Sequence, residues 1–468
     1  MTRGESIKTT RGKCIFSILA FMTAIAALLV LTACGQAQVY EQSYELYHAD
    51  VYPDGDDLHY GDDDYDYDYI TSETDENALD SDEQDQDQGQ EPQVIPASLN
   101  LSPEDFLYDF DYLMAMLKEN APYFGLIYRR NGVDMLALIP ELRARVEDEA
   151  HRLSILSFHN LLRDEFFNHA WPVTHLWFES YVFLRDHGFN EHFDNLEGMR
   201  RFSHSFHSTP PSPRRPRTTI ETTIIEEGRI AYISVETFNN NITPELTQQI
   251  DDFYREIEDF EHLIIDLRWN PGGWMSFFED LIISPLLTEP LRATYYHFIR
   301  GGEHNLEHMR NFGFIFNRPF SLEALDRLFS DADISYEVIG DLSMMDYYLR
   351  ETWAVLPSHP ARQIQFNGQV WILTNGHMTS GSHMAAAFYR DTGFATLVGE
   401  TTAGMYMHRH LWSNYVQLPH TGLVVRMDVT YVLDSNGRPV DYGIDPHYFN
   451  LPGMNALETV LELIRQGR

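Results

Sequence analysis

The chain has 468 residues, of which 33 are Lys or Arg and 71 are Asp or Glu, so its formal net charge at pH 7 is −38. This charge argues against a nucleic-acid partner, because polyphosphates attract basic side chains. A hydrophobic share of 43% is enough for folded domains, and the 2 Cys exclude a disulfide scaffold and a Cys-rich zinc site. The chain contains only 3 Lys (Lys8, Lys13 and Lys118), so a mechanism that needs a buried lysine has almost no candidate.

Residues 1–34 have the pattern of an export signal. Basic residues precede an apolar stretch from Ile15 to Leu31, which ends in Thr32-Ala33-Cys34-Gly35. This ending resembles the lipobox of bacterial lipoproteins, which implies cleavage before Cys34 and lipidation of its sulfur. The alternative is an uncleaved transmembrane anchor. Both hypotheses predict that the rest of the chain lies on the extracytoplasmic side of the cell membrane, and the first predicts a lipid anchor at Cys34.

Residues 35–98 are predicted to form a disordered acidic tether. Between Glu41 and Glu91 there are 20 Asp or Glu and no Lys or Arg, and such a segment cannot bury enough surface to offset its chain entropy. The simplest role is a spacer between the membrane and a folded domain. Weak calcium binding or cell-wall contact is the alternative, but the ligand pattern of an EF-hand is missing.

Residues 99–185 are predicted to form a small N-terminal helical domain. Ser102-Pro103-Glu104-Asp105 has the composition of a helix start, and apolar residues then recur at helical spacing in three stretches up to Phe167. The segment 171–178 breaks this period and predicts extended chain. The polar, Pro-rich segment 186–226 is predicted to be a linker.

Residues 227–450 predict an α/β core. Apolar runs typical of buried strands, such as His262 to Leu267 and Val370 to Thr374, alternate with helical patterns. Residues 294–367 fit this alternation poorly and are predicted to be an irregular lid or flanking subdomain. Residues 451–468 are predicted to form a C-terminal helix.

Two turns that follow predicted strands of this core contain residues suited to nucleophilic catalysis. One is Asn270-Pro271-Gly272-Gly273, and the other is Thr379-Ser380-Gly381-Ser382 at a predicted helix start. Glycines let backbone N–H groups approach a ligand, and a helix N-terminus has free N–H donors. Together the two turns have the parts of a serine nucleophile beside an oxyanion hole. No His-Glu-x-x-His metal motif occurs, and neither a metal nor a cofactor is predicted.

These motifs resemble those of the C-terminal processing (tail-specific) proteases, a serine peptidase family that includes the tricorn protease core. The run Leu263 to Arg268 followed by Asn-Pro-Gly-Gly is similar to the family's D-L-R-x-N-P-G-G signature. Three later stretches resemble its other blocks, namely 374–383, 399–404 and 443–446. The resemblance covers residues 228–448. It implies a crotonase/ClpP-like fold and endopeptidase cleavage of protein or peptide substrates.

The resemblance also implies roles for individual residues. Ser380 matches the nucleophile, with Ser382 as a second candidate. The N–H of Gly381 and a glycine N–H of Gly272-Gly273 match the oxyanion donors.

The general base departs from the processing proteases, because Met405 stands where they have a Lys. Tricorn-like members use a His from the region before the core, and His175 occupies that place. His408 and His410 are rival candidates. Asp441 matches an acidic position that would orient the His, with the register off by one.

The sequence therefore predicts a membrane-anchored extracytoplasmic serine endopeptidase of the tricorn-like branch. The gap at 186–226 is too short for a PDZ domain, so none is expected. The alternative is a catalytically inactive family member that binds peptides or proteins at the cell surface. An α/β-hydrolase esterase ranks last, since Met378 stands where its G-x-S-x-G motif needs a glycine. The sequence does not predict an oligomeric state.

Overall fold

The computed structural model describes most of residues 101–468. Outside the described part lie the following residues: 1–100, 187, 195, 202–219, 239–241, 314–318, 331, 333, 408–410 and 412. Only the backbone is described for Asn190 and Arg201. The predicted export signal with Cys34, the predicted tether and the rival histidines His408 and His410 therefore lie outside the described residues.

The described chain begins with a run of helices. Ser102 caps the first of them through a capping box, in which its side chain and that of Asp105 each accept a hydrogen bond from the other residue's N–H. The helices up to the core are α1 (Pro103–Asn120), α2 (Phe124–Asn131), α3 (Met135–Glu149), α4 (Ile155–Glu165), α5 (Tyr181–Asp186) and α6 (Glu197–Arg201). Short 3₁₀ turns lie between them at Ala150–Arg152, Phe167–Ala170 and Phe189–His192.

The strands are spread along the rest of the chain. In order they are β1 (Leu176–Phe178), β2 (Ile220–Glu226), β3 (Ile230–Val235), β4 (His262–Asp266), β5 (Leu291–Ile299), β6 (Tyr347–Val355), β7 (Gln369–Thr374), β8 (Thr396–Gly399), β9 (Asn414–Gln417), β10 (Val424–Met427), β11 (Thr430–Asp434) and β12 (Tyr448–Phe449). The remaining helices are α7 (Pro244–Glu256), α8 (Met275–Phe277), α9 (Glu303–Asn311), α10 (Leu325–Leu328), α11 (Tyr336–Leu342), α12 (Ser380–Asp391) and α13 (Ala456–Arg465). A π-helical turn at Phe278–Ile283 and 3₁₀ turns at Ser284–Leu286, Leu322–Ala324 and Val440–Tyr442 complete the elements.

A six-stranded sheet forms the centre of the core, in the order β12-β8-β7-β4-β3-β2. Only β2 runs antiparallel to its neighbour, so the carboxyl ends of β4 and β7 lie side by side at one edge. Open α/β sheets bind ligands at that edge. The Asn-Pro-Gly-Gly turn at 270–273 follows β4, and the serine-containing turn at 379–382 follows β7.

Both faces of this sheet are buried, as the apolar composition of β4 predicts. Leu263 and Ile265 contribute to a cluster that includes the apolar face of α12, whereas Ile264 packs with Trp371 and with α13 on the other face. The α/β class predicted from the sequence is confirmed, and helices precede the core as expected.

Two three-stranded sheets flank the core. One has the order β1-β10-β9 and the other β11-β5-β6. The apolar residues of the first sheet and some of those of the second share a cluster with α1 to α4, so the N-terminal helices pack directly against both sheets. Other residues of the second sheet, among them Tyr295, Trp353 and Val432, pack in the cluster of the central sheet. Residues 294–367, which the sequence predicted to be an irregular lid or a flanking subdomain, contain most of the β5–β6 pair and the helices between those strands, so they are regular and belong to a sheet beside the central one. The alternating pattern was missed because these strands pair outside the central sheet.

No helix in the described part of the chain has the length and apolarity needed to span a membrane.

Candidate active site

Ser380 lies at the turn between β7 and α12, at the edge of the central sheet. Its backbone has a left-handed φ of 52°, which non-glycine residues rarely adopt, and its N–H donates to the carbonyl of Gly404 at 3.0 Å. This turn presents the side chain at the beginning of a helix. A sparsely populated backbone conformation at such a position points to a functional constraint.

The side chains of Ser380, His175 and Asp428 form a hydrogen-bonded chain. Nε2 of His175 lies 3.2 Å from Oγ of Ser380, and Nδ1 of His175 lies 2.7 Å from Oδ2 of Asp428. A proton on Nδ1 is bound by the carboxylate, which leaves Nε2 free to accept the serine proton. The arrangement has the order nucleophile, base and orienting acid.

Antiparallel pairing of β1 with β10 brings His175 and Asp428 together. His175 immediately precedes β1 and Asp428 immediately follows β10, and the register pairs Leu176 with Met427. The two residues therefore face each other one position beyond the ladder. The backbone N–H of Asp428 donates to the carbonyl of His175 at 3.2 Å, which closes this end of the pair.

Burial and mutual charge set the protonation states of His175 and Asp428. It lowers the pKa of the His175 imidazole below its ordinary 6.5, even though the charge of Asp428 acts in the opposite direction. Burial alone would raise the pKa of Asp428, but the charge of His175 and hydrogen bonds from His175 and Ser413 bring it below 3.8. At neutral pH the histidine is thus neutral and the aspartate ionised, which are the states that a base and its orienting acid need.

Further donors hold the Asp428 carboxylate. The hydroxyl of Thr174 donates to Oδ2 at 3.0 Å, and the hydroxyl of Ser413 donates to Oδ1 at 2.7 Å. Arg426 in turn donates to Ser413 Oγ at 3.0 Å, and its guanidinium lies 5.2 Å from the ring centroid of Trp177. No sequence motif indicates a role for Asp428, Ser413 or Arg426.

The two glycine turns meet beside Ser380. A Cβ placed on Gly272 would lie 2.5 Å from the nitrogen of Gly381, and one on Gly381 would lie 2.6 Å from the carbonyl oxygen of Gly273, so neither position has room for a side chain. Gly381 is the second residue of α12, where an N–H has no acceptor within the helix. The N–H of Gly272 donates to Oδ1 of Asn270 at 2.7 Å. Of the two glycines, Gly273 is therefore the better candidate for the second oxyanion donor.

Asp441 does not contact His175, contrary to the sequence prediction. Its Oδ1 accepts the N–H of Tyr406 at 2.6 Å, and burial raises its pKa to about 8. A carboxyl that is largely protonated at neutral pH is a poor orienting anion. Asp428 occupies the orienting position, and it directly follows β10, whose pairing with β1 no local motif revealed.

The other candidates from the sequence have local roles. The hydroxyl of Ser382 is fully buried and donates to the carbonyl of Asn270 at 2.6 Å, so it does not face the histidine. Met405 is buried and its N–H donates to the carbonyl of Val173 at 3.3 Å. Lys118 lies on the exposed face of α1. Within the described residues, no group of three or more His, Cys, Asp or Glu side chains is placed to hold a metal ion.

Comparison with known proteins identifies the core segment. Residues 229–449 match the family model described as peptidase family S41. That segment contains Ser380, Asp428 and both glycine turns, whereas His175 precedes it.

Several solved structures are similar over a longer part of the chain. A candidate peptidase from Parabacteroides merdae is 17% identical, with a TM-score of 0.48, over 78% of this chain and 97% of its own. Mature CPAF is 12% identical, with a TM-score of 0.45, over 74% of this chain and 92% of its own. A lipoprotein from Streptococcus agalactiae is 14% identical, with a TM-score of 0.42, over 79% of this chain and 98% of its own.

Proposed function

We propose that this protein is a serine endopeptidase of family S41, whose family model residues 229–449 match, and that His175 is the general base for Ser380. One observation carries the proposal, namely the hydrogen-bonded chain from Ser380 Oγ through His175 to Asp428. A serine hydroxyl is a weak nucleophile by itself and needs an adjacent base.

The proposed reaction begins when a peptide carbonyl lies against Ser380. His175 Nε2 accepts the hydroxyl proton as Oγ attacks the carbonyl carbon, and the Asp428 carboxylate stabilises the imidazolium that forms. The N–H groups of Gly381 and Gly273 would bind the oxyanion. His175 then returns the proton to the leaving amine, and a water molecule hydrolyses the acyl-enzyme by the same path.

The position of Met405 is consistent with a histidine-based mechanism. A thioether cannot accept a proton, so the site has no base where the processing proteases have a Lys. The proposed base comes instead from the chain before the core. If Ser380 is not activated, the alternative hypothesis applies, in which the protein is a catalytically inactive family member that binds peptides.

We further propose that the peptidase is anchored to the outer face of the cell membrane through lipidated Cys34. Support comes from the sequence, in which small residues precede a cysteine at the end of the apolar stretch from Ile15 to Leu31. Metabolic labelling with an alkyne fatty acid tests this, since labelling should be lost in Cys34→Ala.

Digestion of a chemically unfolded protein tests the peptidase function. The wild type should release internal fragments identified by mass spectrometry, while Ser380→Ala and His175→Ala should release none above background. His151→Ala is the matched control, because His151 is exposed and takes no part in the hydrogen bonds among Ser380, His175 and Asp428. His408→Ala and His410→Ala should retain activity. Full activity of His175→Ala would reject the base assignment.

A further inference from the structure

Two aromatic rings stack in the turns that flank the site. The indole of Trp269 and the imidazole of His377 have centroids 4.0 Å apart and planes inclined by 20°. Trp269 lies between β4 and the glycine turn, and His377 lies three residues before Ser380. Both residues are exposed, Trp269 to 64%. We call the pair Trp269–His377 the aromatic ledge.

A buried amide fixes both members of the ledge. Oδ1 of Asn375 accepts the N–H of Trp269 and the N–H of His377, each at 3.1 Å. Trp269 also has a left-handed φ of 68°, a conformation that a bulky residue rarely adopts. The turn therefore fixes the backbone of both residues, from which the stacked side chains extend.

Strained backbone in the described chain is concentrated around this site. Positive φ at a non-glycine residue occurs there at Trp269, Ser380 and Met405. Ser380 is the proposed nucleophile, and Met405 follows Gly404, whose carbonyl accepts the N–H of Ser380. Such conformations cluster where function requires them. Trp269 shares this feature although it lies outside the hydrogen-bonded chain.

The ledge is within reach of a substrate bound at Ser380. A Cβ placed on Gly272 would lie 3.0 Å from Cβ of Ser380, and Trp269 is three residues before Gly272. Three residues of chain span at most about 11 Å. An extended substrate covers about 10 Å in three residues. Side chains within about three residues of the cleaved bond can therefore contact the ledge.

The chemistry of the ledge favours a planar aromatic ligand. An exposed indole backed by an imidazole offers a rigid flat face, and aromatic rings stack on such faces favourably. The neighbouring charges cancel, because Arg268 is paired with Asp266 at 2.6 Å. The turn itself thus provides no net charge that would favour a cationic side chain.

We propose that the aromatic ledge is a substrate subsite that binds a Phe, Tyr or Trp side chain of the polypeptide near the cleaved bond. This proposal rests on the proposed peptidase function, of which it specifies the substrate class.

Peptide binding to the Ser380→Ala protein tests the subsite without requiring cleavage. Fluorescein-labelled peptides of equal length carry Phe, Arg or Ala at one scanned position, and fluorescence polarisation measures their affinities. At one position the Phe peptide should bind about 10-fold more tightly than the Ala peptide. Adding Trp269→Gly should abolish this preference, since glycine accepts the left-handed backbone. His377→Ala should reduce it, and Tyr336→Ala, a control at an aromatic residue 86% exposed, should not change it.

Cleavage by proteins with an intact Ser380 separates the two proposals. Loss of the Phe preference in Trp269→Gly, with cleavage of Ala peptides retained, supports both. Trp269-dependent binding of Phe peptides without any cleavage by the wild type supports the subsite and rejects the peptidase function. A preference for Arg, no preference, or a Phe preference that persists in Trp269→Gly overturns the subsite, whether or not peptides are cleaved.

Discussion

Asp428 holds His175 at two points: its Oδ2 lies 2.8 Å from the backbone nitrogen of His175 and 2.7 Å from ring Nδ1. One carboxylate oxygen therefore fixes both the main chain and the imidazole of the same residue. The rotation of the ring is restricted, and Nε2 is directed at Ser380. Orientation of the base and stabilisation of its charged form come from a single side chain.

Replacement of Asp428 by Asn should greatly reduce the reactivity of Ser380. The amide keeps the shape of the side chain but removes the charge and favours the wrong histidine tautomer, a change that costs on the order of 10⁴-fold in rate in a comparable triad. The rate of fluorophosphonate labelling measures this effect. Asp441→Asn should change the rate less than about threefold, because the Asp441 carboxyl contacts Tyr406 rather than His175. A larger effect in Asp441→Asn than in Asp428→Asn would restore the assignment made from the sequence.

Arg426 should extend activity to lower pH. Burial is the main cause that lowers the pKa of His175, and the positive charge of Arg426 lowers it further, so Arg426→Met should raise that pKa. Because the base must be neutral, the acidic limb of the labelling rate should move to higher pH. Arg426→Lys keeps the charge and should leave the limb near its wild-type position. A limb that moves to lower pH in Arg426→Met would contradict the electrostatic role.

Asp441 should make the folded protein less stable as the pH rises. Its pKa is raised by burial from 3.8 to about 8, so between these values the folded state binds more protons than the unfolded state, and the contribution to stability falls with increasing pH. Asp441→Asn removes this ionisation and should raise the free energy of unfolding by on the order of 1–3 kcal/mol at pH 8. Urea unfolding of both proteins at pH 4 and pH 8 measures the difference. An equal difference at the two pH values would show that the carboxyl does not titrate as described.

Gly273, with φ of 119°, should be more sensitive to substitution than a glycine that also has a positive φ but open surroundings. A Cβ on Gly273 would lie 2.1 Å from the carbonyl oxygen of Phe238, whereas Gly313, with φ of 71°, has nothing within 4 Å. Gly313→Ala should cost about 1–2 kcal/mol through its backbone alone and keep fluorophosphonate labelling. Gly273→Ala should cost more and lose labelling, since the turn that carries the proposed oxyanion donor must move. Equal losses of stability and of labelling in the two variants would indicate that close packing at Gly273 has no special role.

The sequence predicted β3, β4, β7 and β8 of the central sheet because these strands have continuous apolar runs, whereas the edge strand β2, which is largely exposed, lies in the segment 186–226 that was predicted to be a linker. It also indicated Ser380, the glycine turns and His175, because each of them lies in a short motif formed by one unbroken stretch of sequence. Asp428 was missed because its position depends on pairing between β1 and β10, strands about 250 residues apart that have only three and four residues. The alternation of so short a strand contains no register information. The β5–β6 pair was missed for a different reason, since its strands have nine residues each but are separated by a long insertion and pair outside the central sheet.

Site-mapped fluorophosphonate labelling at neutral pH tests the central pairing of Ser380 with His175 most directly. We expect that the intact mass increases by one adduct, that the modified peptide contains Ser380, and that His175→Ala removes the adduct while the protein stays folded by circular dichroism. An adduct formed at an undiminished rate in folded His175→Ala, or one located on another serine, would contradict this expectation.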